Sequence, residues 1–175
     1  DCDLSPSLAS STNEHKQGFP ALFRGQLQTL QVNLGYRCNQ SCSHCHVDAG
    51  PWRTEMMAAE QVALIPQVLE HLKLKVLDLT GGAPELHPQF RGLVATARAK
   101  GVEVIDRCNL TILSEPGQED LADFLAGEGV TVIASLPCYS AENVDRQRGD
   151  GVFTRSVDGL RQLNALGYGA EPLLL

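Results

Sequence analysis

The apolar residues of this chain follow two alternating spacings, one typical of β-strands and the other typical of α-helices. Short apolar or alternating stretches predict strands around residues 30–34 and at 75–80, 102–106, 130–136 and 172–175. Apolar residues at helical spacing predict helices over about 58–72, 89–100, 119–126 and 153–166. Pro66 is expected to kink the first helix or split it into two pieces, because proline removes a helical hydrogen bond.

Strands that alternate with helices predict βαβ units, since parallel neighbours need long crossover connections. The predicted fold class is therefore α/β, a parallel sheet of about five strands covered by helices. A complete eight-stranded barrel takes about 250 residues, and the last predicted strand runs to the final residue of the chain. We therefore expect the chain to be a fragment of a longer protein.

The first part of the chain differs in composition from the rest. Residues 1–25 are rich in Ser, Asn and Gly and show little periodicity, which predicts an arm outside the core. Residues 26–175 carry the regular pattern and are predicted to form the core domain.

Charge and hydropathy narrow the classes of partner. The formal net charge is -7 and the 14 Lys and Arg residues are scattered, so the chain lacks the basic patch typical of nucleic-acid-binding proteins. No apolar run approaches the ~20 residues of a membrane span, and no signal peptide is recognisable at the N-terminus. These patterns predict a cytoplasmic protein without nucleic-acid or membrane partners.

The cysteines are unevenly spaced. Three of the six, Cys38, Cys42 and Cys45, lie within eight residues in the loop after the first predicted strand. Ligands in α/β folds of this kind bind beyond the carboxyl ends of the strands. A tight triplet in that loop indicates a metal site.

Several identities are open for this site. A four-iron cluster bound by three thiolates leaves one iron free for another ligand, whereas tetrahedral zinc needs a fourth ligand, for which His46, next to Cys45, is badly placed. The segment Cys42–His46 also matches the C-x-x-C-H signature of covalent haem attachment. The alternative without metal is a loop of three reduced thiols, which would be prone to oxidation.

The cysteine loop and the Gly-Gly turn after the second strand resemble the radical S-adenosylmethionine (SAM) superfamily. Within it, the chain resembles the radical SAM/Cys-rich proteins assigned to arsenosugar biosynthesis. The resemblance covers most of residues 26–175 and rests on four stretches: NLGYRCNQSCSHCHVDAGP, LDLTGGAPELHP, DRCNLTIL and SLPCYSAENVDRQRGDGVF.

This resemblance implies an enzyme with a [4Fe-4S] cluster held by Cys38, Cys42 and Cys45. In the superfamily the fourth iron binds the methionine end of SAM. One electron from the reduced cluster then cleaves the sulfonium C–S bond to give a 5'-deoxyadenosyl radical. The fold expected from the resemblance is a partial TIM-like (β/α) barrel of the six-stranded type, with about five parallel strands present.

The resemblance also implies SAM-contacting residues. The turn containing Gly81, Gly82 and Glu85 matches the Gly-Gly-Glu turn that binds the methionine amino group, although Ala83 and Pro84 precede the glutamate here. Glycine lets the backbone carbonyls approach the ammonium group closely. Three further positions match residues near SAM: Asn109 and Ser135 at the carboxylate or ribose, and His44 beside the adenine.

Substrate and partners follow from the same resemblance. It implies transfer of the deoxyadenosyl group to a methylated arsenical, a small-molecule substrate, with an electron donor such as flavodoxin or ferredoxin. Cys108 and Cys138 follow the third and fourth predicted strands, so both are expected at the mouth of the barrel. Because arsenic is thiophilic, Cys138 is predicted to contact the substrate, while Cys108 equally suits a buried apolar position. The alternative function is a non-catalytic zinc-binding α/β module.

Overall fold

A four-stranded parallel sheet forms the centre of the protein, in a computed structural model that describes residues 21–170 and 175. The strands are β1 (Thr29–Asn33), β2 (Val76–Thr80), β3 (Glu103–Asp106) and β4 (Thr131–Val132). The helices are α1 (Ala59–His71), α2 (Phe90–Ala99), α3 (Leu121–Gly127), α4 (Ala141–Arg148) and α5 (Val152–Ala165). Short 3-10 helices at Pro84–Leu86 and Thr111–Ser114 follow β2 and β3.

The strands are ordered β1-β2-β3-β4, and each pairs in parallel with the next. Leu30 pairs with Leu77, and Leu77 pairs with Val104. A sheet that adds each new strand on the same side is the beginning of a barrel, and in the described residues it stays open. The predicted α/β class is confirmed. The described part has four strands instead of about five, and residues 172–174 of the predicted fifth strand lie outside it.

The two faces of the sheet differ in chemistry. Leu77, Leu79, Val104 and Val132 are fully buried within the apolar core that includes residues of α2 and α3. Strand alternation places Asp78 on the opposite face, where Gln31 and Arg107 donate hydrogen bonds to its carboxylate. The helix-covered face thus supplies the core, and the open face carries polar groups.

Two features of the helices differ in part from the sequence pattern. Of the two outcomes expected at Pro66, a kink or a split, the split does not occur: α1 continues through Pro66, because Val62, Ile65 and Leu69 anchor both halves of the helix in the core. Helix α4 was not predicted, since Val144 is its only buried residue and its apolar pattern is therefore weak. Its end signals were present in the sequence: Ser140 is the N-cap and Gly149, with φ of 109°, ends the helix.

Strand β4 is shorter than the predicted 130–136, although its backbone continues to bond to β3. Ile133 donates to the carbonyl of Asp106 at 2.8 Å, Cys108 donates to the carbonyl of Ile133 at 3.1 Å, and Ser135 donates to the carbonyl of Cys108 at 2.9 Å. This ladder brings Ser135 to the carboxyl edge of the sheet. Residues 1–20 of the predicted arm over 1–25 lie outside the described residues.

Among the described residues, no helix is both long and apolar enough to cross a membrane.

Helix α5 packs closely on the segment that follows β3. A Cβ atom at Gly159 would lie 2.9 Å from the carbonyl oxygen of Leu110 and 3.4 Å from the side chain of Leu113. Leu110 has a positive φ of 38°, so its backbone is already constrained. Gly159 therefore sets the distance between α5 and the sheet edge.

We expect Gly159→Ala to lower the free energy of unfolding by about 1–2 kcal/mol, because the clash outweighs the gain in helix propensity. Gly92→Ala is the matched control, since Gly92 is in α2 and its Cβ would meet nothing within 4 Å. That variant should be stabilised by about 0.5–1 kcal/mol. Urea unfolding measures both, and equal effects of the same sign would contradict this packing.

Candidate cofactor site at the carboxyl end of the sheet

The cysteines lie in a long loop between β1 and α1 that is closed by its own backbone hydrogen bonds. Tyr36 donates to the carbonyl of Glu55 at 2.9 Å, and Met57 donates to the carbonyl of Leu34 at 2.9 Å. Gly50 donates to the carbonyl of Tyr36 at 3.1 Å. These bonds hold both ends of the loop at the carboxyl edge of the sheet.

The Gly-Gly turn after β2 packs directly on this loop. Gly82 donates to the carbonyl of Gly35 and Ala83 donates to the carbonyl of Arg37, both at 2.9 Å. A Cβ atom at Gly81 would lie 2.6 Å from the carbonyl oxygen of Gly35, and one at Gly82 would meet the carbonyl group of Arg37. Glycine is therefore required at both positions by packing between the two loops, a reason the sequence did not reveal.

One cavity of about 290 Å³ opens where the two loops meet. It is lined by all three cysteines of the triplet and by five of the predicted SAM contacts: Gly81, Gly82, His44, Asn109 and Ser135. Residues from the loops after all four strands thus meet at one place, although they are distant in sequence.

Hydrogen-bond donors contact two of the three cysteine sulfurs. The Sγ atom of Cys38 accepts the backbone N–H of Gln40 and the side-chain amide of Asn109, each at 3.4 Å. The Sγ atom of Cys45 accepts the backbone N–H of Ala49 at 3.2 Å. Donors of this kind favour a thiolate over a thiol, and the thiolate is the form that binds metal.

Burial acts against these donors. It raises the pKa of the Cys38 and Cys42 thiols, while the hydrogen bonds to Cys38 and the positive charge of Arg148 near Cys42 oppose that rise. Bound metal would supply the missing positive charge, since coordination deprotonates a thiol. Three thiols as metal ligands, in a cavity with N–H groups beside them, fit a metal cluster.

Asn109 belongs to a polar network between the cysteine loop and the segment after β3. Its amide donates to Asn39 at 2.8 Å as well as to Cys38, and its Oδ1 atom accepts the backbone N–H of Ile112 at 3.2 Å. Gln40 donates to the hydroxyl of Thr111 at 2.7 Å. The network fixes the orientation of the Asn109 side chain, which is only 7% exposed.

Two arginines at the cavity were missed by the sequence analysis. Arg148, in the last turn of α4, donates to the carbonyl of Ser135 at 2.7 Å. Arg107 binds the carboxylate of Asp78 through two hydrogen bonds of 2.8 Å. Their positions in the sequence could have identified them, because Arg107 directly follows β3 and Arg148 precedes the glycine that ends α4.

The structure does not bring Glu85, a predicted SAM contact, to the cavity. The 3-10 helix at Pro84–Leu86 turns the chain away from the cavity, so Glu85 is 5% exposed and does not line it. Its carboxylate faces Asp106 and Cys108 instead. Strand alternation places Cys108 on the helix-covered side, where it is fully buried. It therefore does not lie at the mouth of the barrel as expected, but is buried, as in the alternative, beside the carboxylates of Glu85 and Asp106.

Cys138 lies in the loop after β4 and does not line the cavity. It is partly exposed, and its Sγ atom is 3.8 Å from the hydroxyl of Ser140 and 3.7 Å from the amide of Asn143. Hydrogen bonding, first of all from the backbone of Ser140, lowers the pKa of this thiol. His44 is exposed, with its Nδ1 atom 2.9 Å from the hydroxyl of Ser43.

Known proteins share this architecture. Among solved structures, Streptococcus suis SuiB bound to S-adenosylmethionine superposes with a TM-score of 0.67 at 14% identity, covering 81% of this chain and 32% of that one. At this identity the likeness shows the fold alone. The open sheet is similar to the partial TIM barrel of such structures.

Sequence comparison reaches further. Mycofactocin maturase MftC of Mycobacterium ulcerans (strain Agy99) is 32% identical over 139 residues, covering 79% of this chain and 37% of that protein. The probable GTP 3',8-cyclase of Sulfolobus acidocaldarius is 25% identical over 153 residues, covering 86% of this chain and 46% of that protein. The chain thus spans between a third and a half of the length of these relatives. The sequence model of the Radical SAM superfamily matches residues 32–170, so the chain belongs to the radical SAM superfamily.

Proposed function

We propose that this chain is the cofactor-binding part of a radical SAM enzyme that holds a [4Fe-4S] cluster and cleaves SAM reductively. The observation that carries the proposal is the single cavity that joins Cys38, Cys42 and Cys45 to the Gly81–Gly82 turn. The superfamily membership of residues 32–170 supports the same cofactors.

In this proposal the thiolates of Cys38, Cys42 and Cys45 would hold the cluster and leave one iron free for SAM. When bound, the cluster would supply the electron for cleavage of the sulfonium C–S bond. The chain's own part is to hold the thiolates with the N–H donors of Gln40, Ala49 and Asn109. Hydrogen bonds to the sulfurs of such a cluster influence the reduction potential of the cluster.

The charged end of SAM has matching groups in the cavity. The Gly81–Gly82 turn suits the ammonium group, because neither residue has a side chain to keep that group away from the backbone. The positive charge of Arg107 is already paired with Asp78. Among the described residues of the cavity, Arg148 has no ion-pair partner and is the cation available for the SAM carboxylate.

The proposal extends to substrate and partners. It takes a methylated arsenical as the small-molecule acceptor of the deoxyadenosyl group and Cys138 as a substrate contact. It is supported by the resemblance of the sequence at residues 33–51 and 135–153 to the arsenosugar proteins. The partial exposure and lowered pKa of the Cys138 thiol also support it. Flavodoxin or ferredoxin would supply the electron.

The cluster is tested first by anaerobic reconstitution. We expect about four irons and four sulfides per chain with a brown absorption spectrum, and loss of most iron in Cys42→Ala, since removing one thiolate leaves too few ligands. Cys138→Ser, which alters a cysteine outside the cavity, should keep the iron. Zinc uptake without iron would instead support the alternative zinc-binding module.

Arg148→Gln should weaken SAM binding to the cluster-loaded protein about 10- to 100-fold, because one charge-assisted hydrogen bond is lost. Arg146→Gln is the matched control on the same helix, since Arg146 pairs with Glu142 outside the cavity. Equilibrium dialysis with labelled SAM measures both affinities. Equal losses in the two variants would exclude Arg148 as the carboxylate contact.

Cys138→Ser should lower turnover of a trivalent methylated arsenical at least ~10-fold while SAM still binds, because a hydroxyl does not replace the thiolate as an arsenic ligand. Product formation and SAM affinity are measured on the same preparation. Unchanged arsenical turnover would remove Cys138 from the substrate site without affecting the cluster proposal.

Alkylation with iodoacetamide provides an independent control on Cys138. Plotted against pH, the rate of Cys138 alkylation should have its midpoint below the ordinary cysteine pKa. Ser140→Ala should move that midpoint to higher pH, since a hydrogen bond to the thiolate is lost. The enclosed Cys108 should not react in the native protein.

A further inference from the structure

Three ionisable side chains lie together in the core, away from the cofactor cavity. Glu85 belongs to the 3-10 helix after β2, Asp106 is the last residue of β3, and Cys108 follows two residues later. Asp106 and Cys108 are fully buried and Glu85 is 5% exposed. One carboxylate oxygen of each acid and the Sγ atom of Cys108 all lie within 4.8 Å of one another.

The carboxylates in this cluster have no partner. Neither oxygen of Glu85 and neither oxygen of Asp106 has a hydrogen-bond partner, although all four atoms are enclosed. No ion pair among the described residues includes either acid. The hydroxyl of the neighbouring Tyr168 donates instead to the carbonyl of Val130 at 2.8 Å.

Such a cluster needs a counter-charge. Buried carboxylates without donors are strongly unfavourable, so the site must take up either protons or a cation. Four carboxylate oxygens and one sulfur offer five donor atoms, enough for four-coordination if one carboxylate binds through both oxygens. Calcium and magnesium prefer oxygen ligands alone. A mixed oxygen and sulfur set suits zinc and similar transition metals.

The geometry points to a closed structural site in which Glu85, Asp106 and Cys108 bind one divalent transition-metal ion of the zinc class. The donor atoms would move closer together on binding, to the ~3.5 Å separation that zinc–ligand bond lengths impose. Binding requires loss of the protons held by the three groups.

The position of the site gives it a mechanical role. Glu85 lies three residues after Gly82, while Cys108 is bonded through its backbone to both Ile133 and Ser135. A shared ion would therefore tie the end of the Gly-Gly turn to the carboxyl ends of β3 and β4. It would brace the wall of the cofactor cavity from behind without touching a ligand inside it.

The test uses Co²⁺ as the probe and a chain carrying Cys42→Ala and Cys45→Ala, which cannot hold the iron–sulfur cluster. We expect one Co²⁺ per chain, a thiolate-to-cobalt charge-transfer band, and a melting temperature that rises with Co²⁺ concentration. Affinity should increase with pH, because burial raises the pKa of all three groups and protons compete with the ion.

Substitutions identify the ligands. Cys108→Ser should abolish the charge-transfer band, and Glu85→Gln should weaken Co²⁺ binding at least ~10-fold. Cys138→Ser and Glu115→Gln are matched controls outside the cluster and should change neither. X-ray absorption of Co²⁺ in the background chain should show one sulfur among oxygen ligands, which requires no variant at the site to fold.

Three outcomes would overturn the site: no Co²⁺ bound, a band that survives Cys108→Ser, or absorption data without sulfur. In that case the buried acids keep their protons. The free energy of unfolding should then be highest at low pH and fall as pH rises toward the raised pKa values. Because the background chain lacks two cluster ligands, none of these results depends on whether the cluster itself forms.

Discussion

The close approach of two backbones holds this site together. The carbonyl groups of Gly35 and Arg37 in the cysteine loop accept hydrogen bonds from the turn after β2. Side chains at Gly81 or Gly82 would push the loops apart, because the space for a Cβ atom is already filled by those carbonyl groups. Without this contact the loop would lose its main anchor to the second strand, and the wall of the cavity would lose its shape.

Charge is distributed unevenly around this contact. The chain as a whole is acidic, with a formal charge of -7, yet the cavity is lined by Arg107 and Arg148. Behind the cavity, Glu85 and Asp106 are buried without donors. Cationic groups thus face the place where a thiolate-bound cluster would bring negative charge, while the two unpaired buried acids lie on the far side of the sheet.

Much of the fold was readable from hydrophobic spacing. The strands at β1, β2 and β3 and the helices α1, α2, α3 and α5 agree with their predicted positions within a few residues. The failures have physical causes. Helix α4 buries only Val144, so its pattern is weak. Strand β4 covers only two residues, and its backbone hydrogen bonds continue to Ser135 outside the regular strand.

The sequence by itself determined the alternation of strands and helices, the cysteine triplet in the first loop and the glycines of the second, because spacing and residue type are local properties. Only the tertiary structure decided which side chains meet. A short 3-10 helix turns Glu85 away from the cavity, and strand alternation turns Cys108 into the core. It also decided that Arg148 reaches the site, since contacts between residues distant in the chain depend on how whole elements pack.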